Sequence, residues 1–380
     1  MSVEQYDVLI ERFRGGRIGR RAFIRRMIAL GVGGPLLLEI LQACTQAAPA
    51  TSPGAPAATA AATAAGKRGG LGELKLLWWQ APTILNPHLA RGTKDFDASQ
   101  PVFEPLGFFD QHGDLVPALA DGVPSLENGQ VAKDGSSVTW KVKKGVVFHD
   151  GKPMTADDVV FTWEYVTDKA TGSTSAGLFK NVSKVEATDP HTVKVTFKEP
   201  TPSWSLVFTG GSGAILPRHA YEAAKGTASR TSPLNSKPIG TGPYKVKEFQ
   251  ASDHVNYELF DQYHVATEPH FDTVFMKGGG DSDSAARAVL ETGQFDWAWN
   301  IQSTPQVLAP MLQAGKGVLV ITPGGSIERI VLNQTDPNKV VDGERSSVMA
   351  PHPFFSDEKV RQAFGLAVQR DVMAEQLYGC

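Results

Sequence analysis

The chain has 380 residues, of which 41% are hydrophobic and 20% are charged, and its formal net charge at pH 7 is −3. This composition is typical of a soluble globular protein with two or three domains. The small negative charge argues against nucleic acid as a partner, because proteins that bind it carry a strongly basic surface. The two cysteines, Cys44 and Cys380, are too few for a cysteine-based zinc cluster, and no Cys-x-x-Cys motif occurs.

Residues 1–43 have the pattern of an export signal. A polar, basic stretch contains Arg20 and Arg21, and a mostly apolar run from Met27 to Leu41 then leads to Cys44. The run is too short to cross a bilayer, and this order of segments is typical of exported proteins. The arginine pair resembles a twin-arginine signal, and residues 41–44 resemble a bacterial lipobox, which implies lipidation of Cys44. The alternative is an amphipathic N-terminal helix with an incidental cysteine.

A linker follows the cysteine. Residues 45–66 consist almost entirely of Ala, Thr, Pro, Ser and Gly, which provide little to bury. This composition predicts a disordered tether that lets a folded domain swing above a membrane. Pro49, Pro53 and Pro56 oppose the alternative of an alanine-rich helix. We assign residues 44–70 to the lipid anchor and linker.

The folded part begins with a predicted strand near residues 74–79, which leads to the turn Asn86-Pro87-His88. Further along, Val138, Trp140 and Val142 alternate with polar residues, which is the pattern of a half-buried strand. Residues 146–148 are predicted as a second short strand, which the turn pair Asp150-Gly151 closes.

A capped helix is predicted directly after that turn. Thr155 stands three residues before Asp158, the spacing of a capping box, and apolar residues then follow at helical spacing. We interpret the neighbouring pair Asp157-Asp158 as helix capping and not as a catalytic acid pair. His149, inside the turn, is interpreted as structural rather than as a ligand.

Three further elements are predicted downstream. Residues 182–198 alternate around Asp189-Pro190, which indicates a hairpin. Residues 238–246 contain two closely spaced glycines and a proline before a strand; a phosphate-binding loop is excluded because no Gly-Lys-Ser/Thr follows. Helices are predicted from Asp281 to Gly293, with helix capping as the role of Asp281 and Asp283, and from near Ser356-Asp357.

Several of these segments resemble one family, in the same order along the chain. Residues 141–160, KVKKGVVFHDGKPMTADDVV, residues 238–246, PIGTGPYKV, and residues 359–371, KVRQAFGLAVQRD, carry the resemblance. They are similar to segments of the bacterial extracytoplasmic solute-binding proteins of the peptide/nickel class, family 5, which supply ABC importers. The chain departs from the family at Gln369, where an acidic residue is usual.

The resemblance implies an α/β fold of the periplasmic-binding-protein-like type, with two lobes and three subdomains. Residues 71–115 and 236–326 would form the main subdomain of the first lobe, and residues 116–235 its extra subdomain. Residues 327–380 would form the hinge crossover and the start of the second lobe. Because chains of the family continue well past the last helix, we expect the second lobe to be truncated in this sequence.

The resemblance also implies candidate ligand-binding residues around the cleft between the lobes. Trp299 is the first choice as a stacking wall, and a core tryptophan is the alternative. The charged anchors of peptide-binding members are expected mostly in the second lobe. The candidates are Asn86, Pro87, His88, Trp297, Trp299, Asn300 and Asn333.

The implied function is the substrate-binding component of an ABC importer, which captures a peptide or similar small solute outside the cytoplasmic membrane. The expected partners are the solute, the permease and ATPase subunits, and the membrane, which the lipid anchor would bind. We expect the protein to be a monomer and to lie at the cell membrane or in the periplasm. No His-Glu-x-x-His or Gly-x-Ser-x-Gly motif occurs, so no enzymatic activity, catalytic residue, metal or cofactor is predicted. The alternatives are a hydrolase or chaperone of the same fold, or a metal chelate, haem or oligosaccharide as solute.

Overall fold

The computed structural model describes residues 68–321 and 329–378. The predictions for the export signal, for Arg20, Arg21 and Cys44, and for most of the linker lie outside the described residues. Within those two ranges, no helix combines the length and the apolar character needed to cross a membrane.

The described residues form strands and short helices, with several strands following one another directly. The strands are β1 Glu73–Trp78, β2 Gly107–Phe109, β3 Leu115–Pro117, β4 Ser137–Lys141, β5 Val182–Asp189, β6 Thr192–Phe197, β7 Tyr244–Gln250, β8 His254–Leu259, β9 Thr273–Gly278, β10 Trp297–Ala298, β11 Val340–Val341 and β12 Glu344–Arg345. The α-helices are α1 Thr93–Ser99, α2 Ala156–Thr167, α3 Arg218–Tyr221, α4 Ser282–Leu290, α5 Pro305–Leu312, α6 Glu358–Ala367 and α7 Arg370–Tyr378.

The larger sheet has five strands in the order β10-β1-β9-β8-β7. β1 lies in the middle of a parallel trio, since it pairs in parallel with both β9 and β10. β8 runs antiparallel to β9 and to β7. The three parallel strands therefore end at one edge of the sheet, at Trp78, Gly278 and Ala298.

Helix α4 connects β9 to β10, and both of its predicted boundaries have local causes. The Asp281 carboxylate accepts the Ser284 N–H at 2.8 Å, which confirms the predicted cap. Gly293 adopts a left-handed φ of 66° beyond the helix, a conformation that suits glycine. The Asp296 carboxylate then accepts the Lys75 N–H at 2.7 Å, which fixes the start of β10 beside β1.

The second sheet is antiparallel, with the strand order β4-β6-β5. The hairpin predicted around Asp189-Pro190 is confirmed as β5 and β6. The predicted alternation in β4 is confirmed as well, because Val138 and Trp140 are fully buried. One hydrophobic core runs continuously through both sheets. The two sheets fall within the ranges predicted for the two subdomains, although the domain boundaries themselves stay predictions.

The strand predicted at residues 146–148 is wrong. Val147 forms only an isolated bridge to Pro153, and the chain turns at Asp150-Gly151, where the Gly151 N–H donates to the Phe148 carbonyl at 2.8 Å. The turn leaves too few residues for a ladder, and Pro153 has no N–H to donate. The apolar spacing instead reflects the burial of Val146 and Phe148 in the core.

The capping box at the start of α2 is confirmed. The Thr155 N–H donates to the Asp158 carboxylate at 2.8 Å, and the Thr155 side chain accepts the Asp158 N–H in return. The second carboxylate oxygen accepts the Arg218 N–H at 2.9 Å. Asp158 therefore ties α2 to α3, and its burial raises the pKa of this carboxyl above its ordinary value.

The two glycines before β7 allow a close approach of two backbone segments. A Cβ at Gly240 would lie 2.0 Å from the Val102 carbonyl oxygen, and one at Gly242 would lie 2.5 Å from the Pro101 carbonyl oxygen. The His149 ring lies against the same loop, with Nε2 2.9 Å from the Gly242 carbonyl oxygen. Burial lowers the pKa of His149 to about 4, and this environment fits the structural role predicted for it.

The side chains of the C-terminal helices are less buried than those of the helices before them. The start predicted for α6 is confirmed, since the Asp357 carboxylate accepts the Lys359 N–H at 2.8 Å. The helix buries none of its side chains, and Leu366 is 88% exposed.

Candidate functional site

The carboxyl edge of the parallel strands is the first candidate site. In open α/β sheets, ligands bind outside the carboxyl ends of parallel strands, where the connecting loops diverge. At this edge β1 ends in Trp78, and the register places Leu76 opposite Trp297 and Leu77 opposite Ala298. Tryptophans that lie more than two hundred residues apart in the sequence therefore meet at one place.

Four indole rings form what we call the tryptophan group, Trp78, Trp79, Trp297 and Trp299. The Trp78 ring lies 4.8 Å from that of Trp297, centroid to centroid, and 6.5 Å from that of Trp299 with only 8° between the planes. The Trp79 ring stacks on that of Trp299 at 5.8 Å and 25°. Trp299 therefore stacks with two other indoles.

Hydrogen bonds hold these rings in place. The Trp78 Nε1–H donates to the Asp97 carboxylate on α1 at 3.1 Å, and burial raises the pKa of that carboxyl. The Trp79 Nε1–H donates to the Asn300 carbonyl at 3.1 Å. Asn300 itself has a left-handed φ of 47°, which turns the chain directly after the tryptophans.

Burial falls steadily across the tryptophan group. Trp78 is 5% exposed, Trp299 is half-buried and packs against the core, and Trp297 is 44% exposed. A fixed indole with an open face provides apolar area at little entropic cost, which suits contact with the apolar part of a small molecule. The structure thus brings Trp297, Trp299 and Asn300 together, and their contact with a ligand stays a prediction.

The loops around this edge are closely fitted. A Cβ at Gly278 would lie 2.3 Å from the Ala81 Cα, so the loop after β1 crosses directly over the end of β9. The Gln302 N–H donates to the Ser282 hydroxyl at 2.6 Å, which joins the loop after β10 to the start of α4. The edge is therefore a formed surface of three connected loops.

Asn86, Pro87 and His88 lie in a different environment from the one expected of cleft residues. Asn86 is 1% exposed, and its amide donates to the Tyr165 hydroxyl at 3.2 Å and to the Asn235 side chain at 3.1 Å. Pro87 is buried too. These contacts link the loop after β1 to α2, so they favour a structural role, and ligand contact by the three residues stays a prediction.

His88 is the most enclosed of the three, with no exposed surface. Its Nε2 lies 2.8 Å from the Ala214 carbonyl oxygen and its Nδ1 lies 3.1 Å from the Ser175 hydroxyl. Because a carbonyl only accepts, Nε2 carries the proton and Nδ1 accepts from the serine. Burial lowers the pKa of His88 to about 4, so the ring is neutral at neutral pH.

Among the residues that the structure describes, Asn333 forms hydrogen bonds with none of the other candidate residues. Its side-chain oxygen accepts from the Thr335 N–H at 3.0 Å and from the Thr335 hydroxyl at 2.7 Å. Asn333 is exposed and shapes a local turn. Its role as a ligand contact stays a prediction.

The sequence analysis missed a cavity of about 260 Å³, which is the second candidate site. Helix α1 contributes to both features, since Asp95 lines the cavity and Asp97 accepts a hydrogen bond from Trp78. The lining residues come from three distant segments, and no motif marks them. They are Thr83, Ile84, Leu89, Arg91, Asp95, Gly172, Thr174 and Arg230.

A metal centre receives no support from the described ranges, which contain no group of three or more His, Cys, Asp or Glu side chains able to hold an ion. Arginines, hydroxyl groups and indoles dominate the two features instead. They are suited to reversible binding of a small molecule.

Comparison with known proteins places this architecture among binding proteins. The family model described as "Bacterial extracellular solute-binding proteins, family 5 Middle" matches residues 114–379. The glutathione-binding protein GsiB of Escherichia coli (strain K12) is 25% identical over 293 residues, which are 77% of this chain and 51% of that protein. The chain thus spans about half the length of the curated relatives it matches.

Two solved structures are similar as well. The ABC transporter substrate-binding protein CtaP of Listeria monocytogenes is 28% identical, with a TM-score of 0.62 over 81% of this chain and 57% of that one. The oligopeptide-binding protein AppA of Bacillus subtilis, in complex with a nonapeptide, is 28% identical, with a TM-score of 0.54 over 60% of this chain and 44% of that one.

Proposed function

The chain belongs to family 5 of the bacterial extracellular solute-binding proteins, and on that premise we propose that it is the substrate-binding component of an ABC importer. It would capture a peptide or similar small solute outside the cytoplasmic membrane. The family match confirms the resemblance inferred from the motifs, and the solved structures confirm the predicted fold class, an α/β fold of the periplasmic-binding-protein type. The observation that carries the proposal is the tryptophan group, which presents an exposed indole at the carboxyl edge of the sheet.

Capture would work by closure of two lobes around the solute. Trp297 and Trp299 would form an apolar wall, Asn300 would add a polar contact, and Asn333 would lie near the crossover. A solute that binds the closed form more tightly than the open form shifts the population toward closure. The closed form would then dock on the permease, and the ATPase subunits would supply the energy for import.

The N-terminal part of the proposal depends on sequence alone. Arg20 and Arg21 would direct export, and Cys44 would carry a lipid that holds the protein, as a monomer, at the outer face of the cell membrane. Residues 45–66 would act as the tether. Support comes from the order of charged, apolar and small residues in the signal.

We further propose that the protein is not an enzyme, since reversible binding needs no covalent step. Relatives support a peptide-like solute, because GsiB is named for glutathione and AppA was solved with a nonapeptide. A hydrolase or chaperone activity would leave a measurable product or refolded client. A metal chelate, haem or oligosaccharide remains the alternative class of solute.

The test combines identification of the solute with removal of the indole wall. Mass spectrometry of material that co-purifies with the full-length protein identifies the solute, and calorimetry then measures its affinity. Trp297→Leu should weaken binding about tenfold, because it removes exposed apolar area worth about 1–2 kcal/mol. Trp204→Leu, at a half-buried tryptophan that packs against Trp140 in the other sheet, is the matched control and should keep its affinity.

Two outcomes would refute the proposal. One is turnover of a peptide or ester by the purified protein. The other is equal loss of affinity in Trp297→Leu and Trp204→Leu, which would mean that the tryptophan group acts only through general stability.

A further inference from the structure

We propose that the 260 Å³ cavity lined by Arg91 and Arg230 is a subsite for a carboxylate of the captured solute, so that the protein prefers acidic solutes. This inference rests on the proposed function, because it names the chemical class of the solute that the protein would capture. Arg91 and Arg230 are the residues that would bind the carboxylate.

The two arginines bring positive charge that is not compensated. Both line the cavity and both are exposed to solvent. Neither guanidinium group has a hydrogen-bond or ion-pair partner within the described part of the chain. A guanidinium group has five N–H donors in a planar fork that fits a carboxylate with two parallel bonds.

The carboxylate that lines the cavity does not neutralise them. Asp95 is fully buried, and its oxygens accept the Lys94 ammonium at 2.7 Å, the Thr83 N–H at 2.7 Å and the Arg91 backbone N–H at 3.1 Å. The charge of Asp95 is thus balanced by Lys94, and its lone pairs are occupied by backbone donors. The Arg91 and Arg230 side chains leave the cavity with two positive charges.

The Arg230 guanidinium group lies close to the backbone of Gly172, which also lines the cavity. A Cβ at Gly172 would lie only 2.9 Å from the Arg230 Nη2, and Gly172 has a left-handed φ of 63°. The backbone next to Arg230 is fixed, because the Asn235 amide donates to the Ser229 carbonyl at 2.8 Å and to the Arg230 carbonyl at 3.3 Å. The guanidinium group therefore lies against the backbone of Gly172, where no side chain stands in its way.

The rest of the lining indicates an organic anion. Ile84 and Leu89 add apolar wall, while Thr83 and Thr174 add hydroxyl groups. The cavity is of a size for a short acidic side chain. Helix α1 carries both Asp95, which lines the cavity, and Asp97, which binds Trp78.

The experiment uses calorimetry on the purified full-length protein with three probes. They are the tripeptides Ala-Glu-Ala and Ala-Gln-Ala, which differ in one charge, and glutarate, which has carboxylates and no peptide bond. Wild type should bind Ala-Glu-Ala at least about tenfold more tightly than Ala-Gln-Ala, the size expected for charge-assisted hydrogen bonds. The preference should weaken as salt is added.

The variant Arg91→Gln/Arg230→Gln should lose this preference and bind both peptides alike. The control Lys133→Gln/Lys144→Gln removes two exposed charges elsewhere and should keep the preference. Peptide binding without any preference for the acidic probe would overturn the inference and leave the proposed function standing. Glutarate binding that Arg91→Gln/Arg230→Gln abolishes, without peptide binding, would keep the anion subsite and overturn peptide capture. Binding of none of the probes would overturn both.

Discussion

The buried His88 gives a prediction about acid stability. Its folded-state pKa is about 4, against 6.5 for an unperturbed histidine, because the ring has no contact with water. The unfolded chain therefore binds a proton first as the pH falls. The contribution of His88 to the free energy of unfolding is fully present above pH 6.5. It is lost as the pH falls from 6.5 towards 4, and it changes no further below pH 4.

The magnitude follows from the two pKa values. At pH 4.5 the unfolded histidine is almost fully protonated and the folded one is mostly neutral, which corresponds to about 2–3 kcal/mol of lost stability. His88→Gln keeps an amide that can donate to the Ala214 carbonyl and accept from Ser175, and it has no charge to gain. The variant should thus lose about 2–3 kcal/mol less than wild type between pH 7.5 and pH 4.5.

Urea denaturation at a series of pH values measures this difference, since the free energy of unfolding extrapolates linearly to zero denaturant. His149 titrates in both proteins, so the comparison isolates His88. His112→Gln, at an exposed histidine, should follow the wild-type curve. Parallel stability curves for wild type and His88→Gln over this range would refute the reasoning.

Two further predictions concern local packing, and thermal or urea unfolding checks both. Asp158→Ala should lower the free energy of unfolding by about 1–2 kcal/mol, because it removes the capping box and the link to α3. Asp157→Ala, whose side chain is exposed in the same turn, is the control and should lower it less. Equal losses in the two variants would contradict a stabilising role of the capping box. Gly240→Ala should destabilise strongly, by about 3 kcal/mol or more, because its Cβ would lie 2.0 Å from the Val102 carbonyl oxygen. Gly177→Ala, where a Cβ meets nothing within 4 Å, is its control, and a Gly240→Ala protein as stable as the control would contradict the packing argument.

The elements that could be predicted from sequence are those whose causes are local. Thr155, Asp281 and Asp357 each start a helix by a bond to a backbone or side-chain group two or three residues away. Such spacing is visible in the sequence because no tertiary contact is needed to produce it. The same holds for the hairpin at Asp189-Pro190.

Predictions failed or stayed open where distant packing decides. Residues 146–148 alternate like a strand, but their burial comes from the core and their hydrogen bonds go to a turn. The turn at Asn86 looked like a cleft loop, yet Tyr165 and Asn235, which bind its amide, are 79 and 149 residues away along the chain. A single sequence does not reveal such partners.

The candidate site shows the same division between near and distant causes. Each tryptophan pair is visible in the sequence, but the pairs lie more than two hundred residues apart and meet only because β1 and β10 share a parallel register, with Leu76 opposite Trp297. The cavity is still harder to predict from the sequence, because its lining residues Arg91, Gly172 and Arg230 share no motif and come from three distant segments. If the cavity selects the solute, residues in ordinary loop sequence determine which solute is bound, while the recognisable motifs determine the scaffold. Substitution of Arg91 and Arg230 by other residues should thus change which solute is bound without changing the fold.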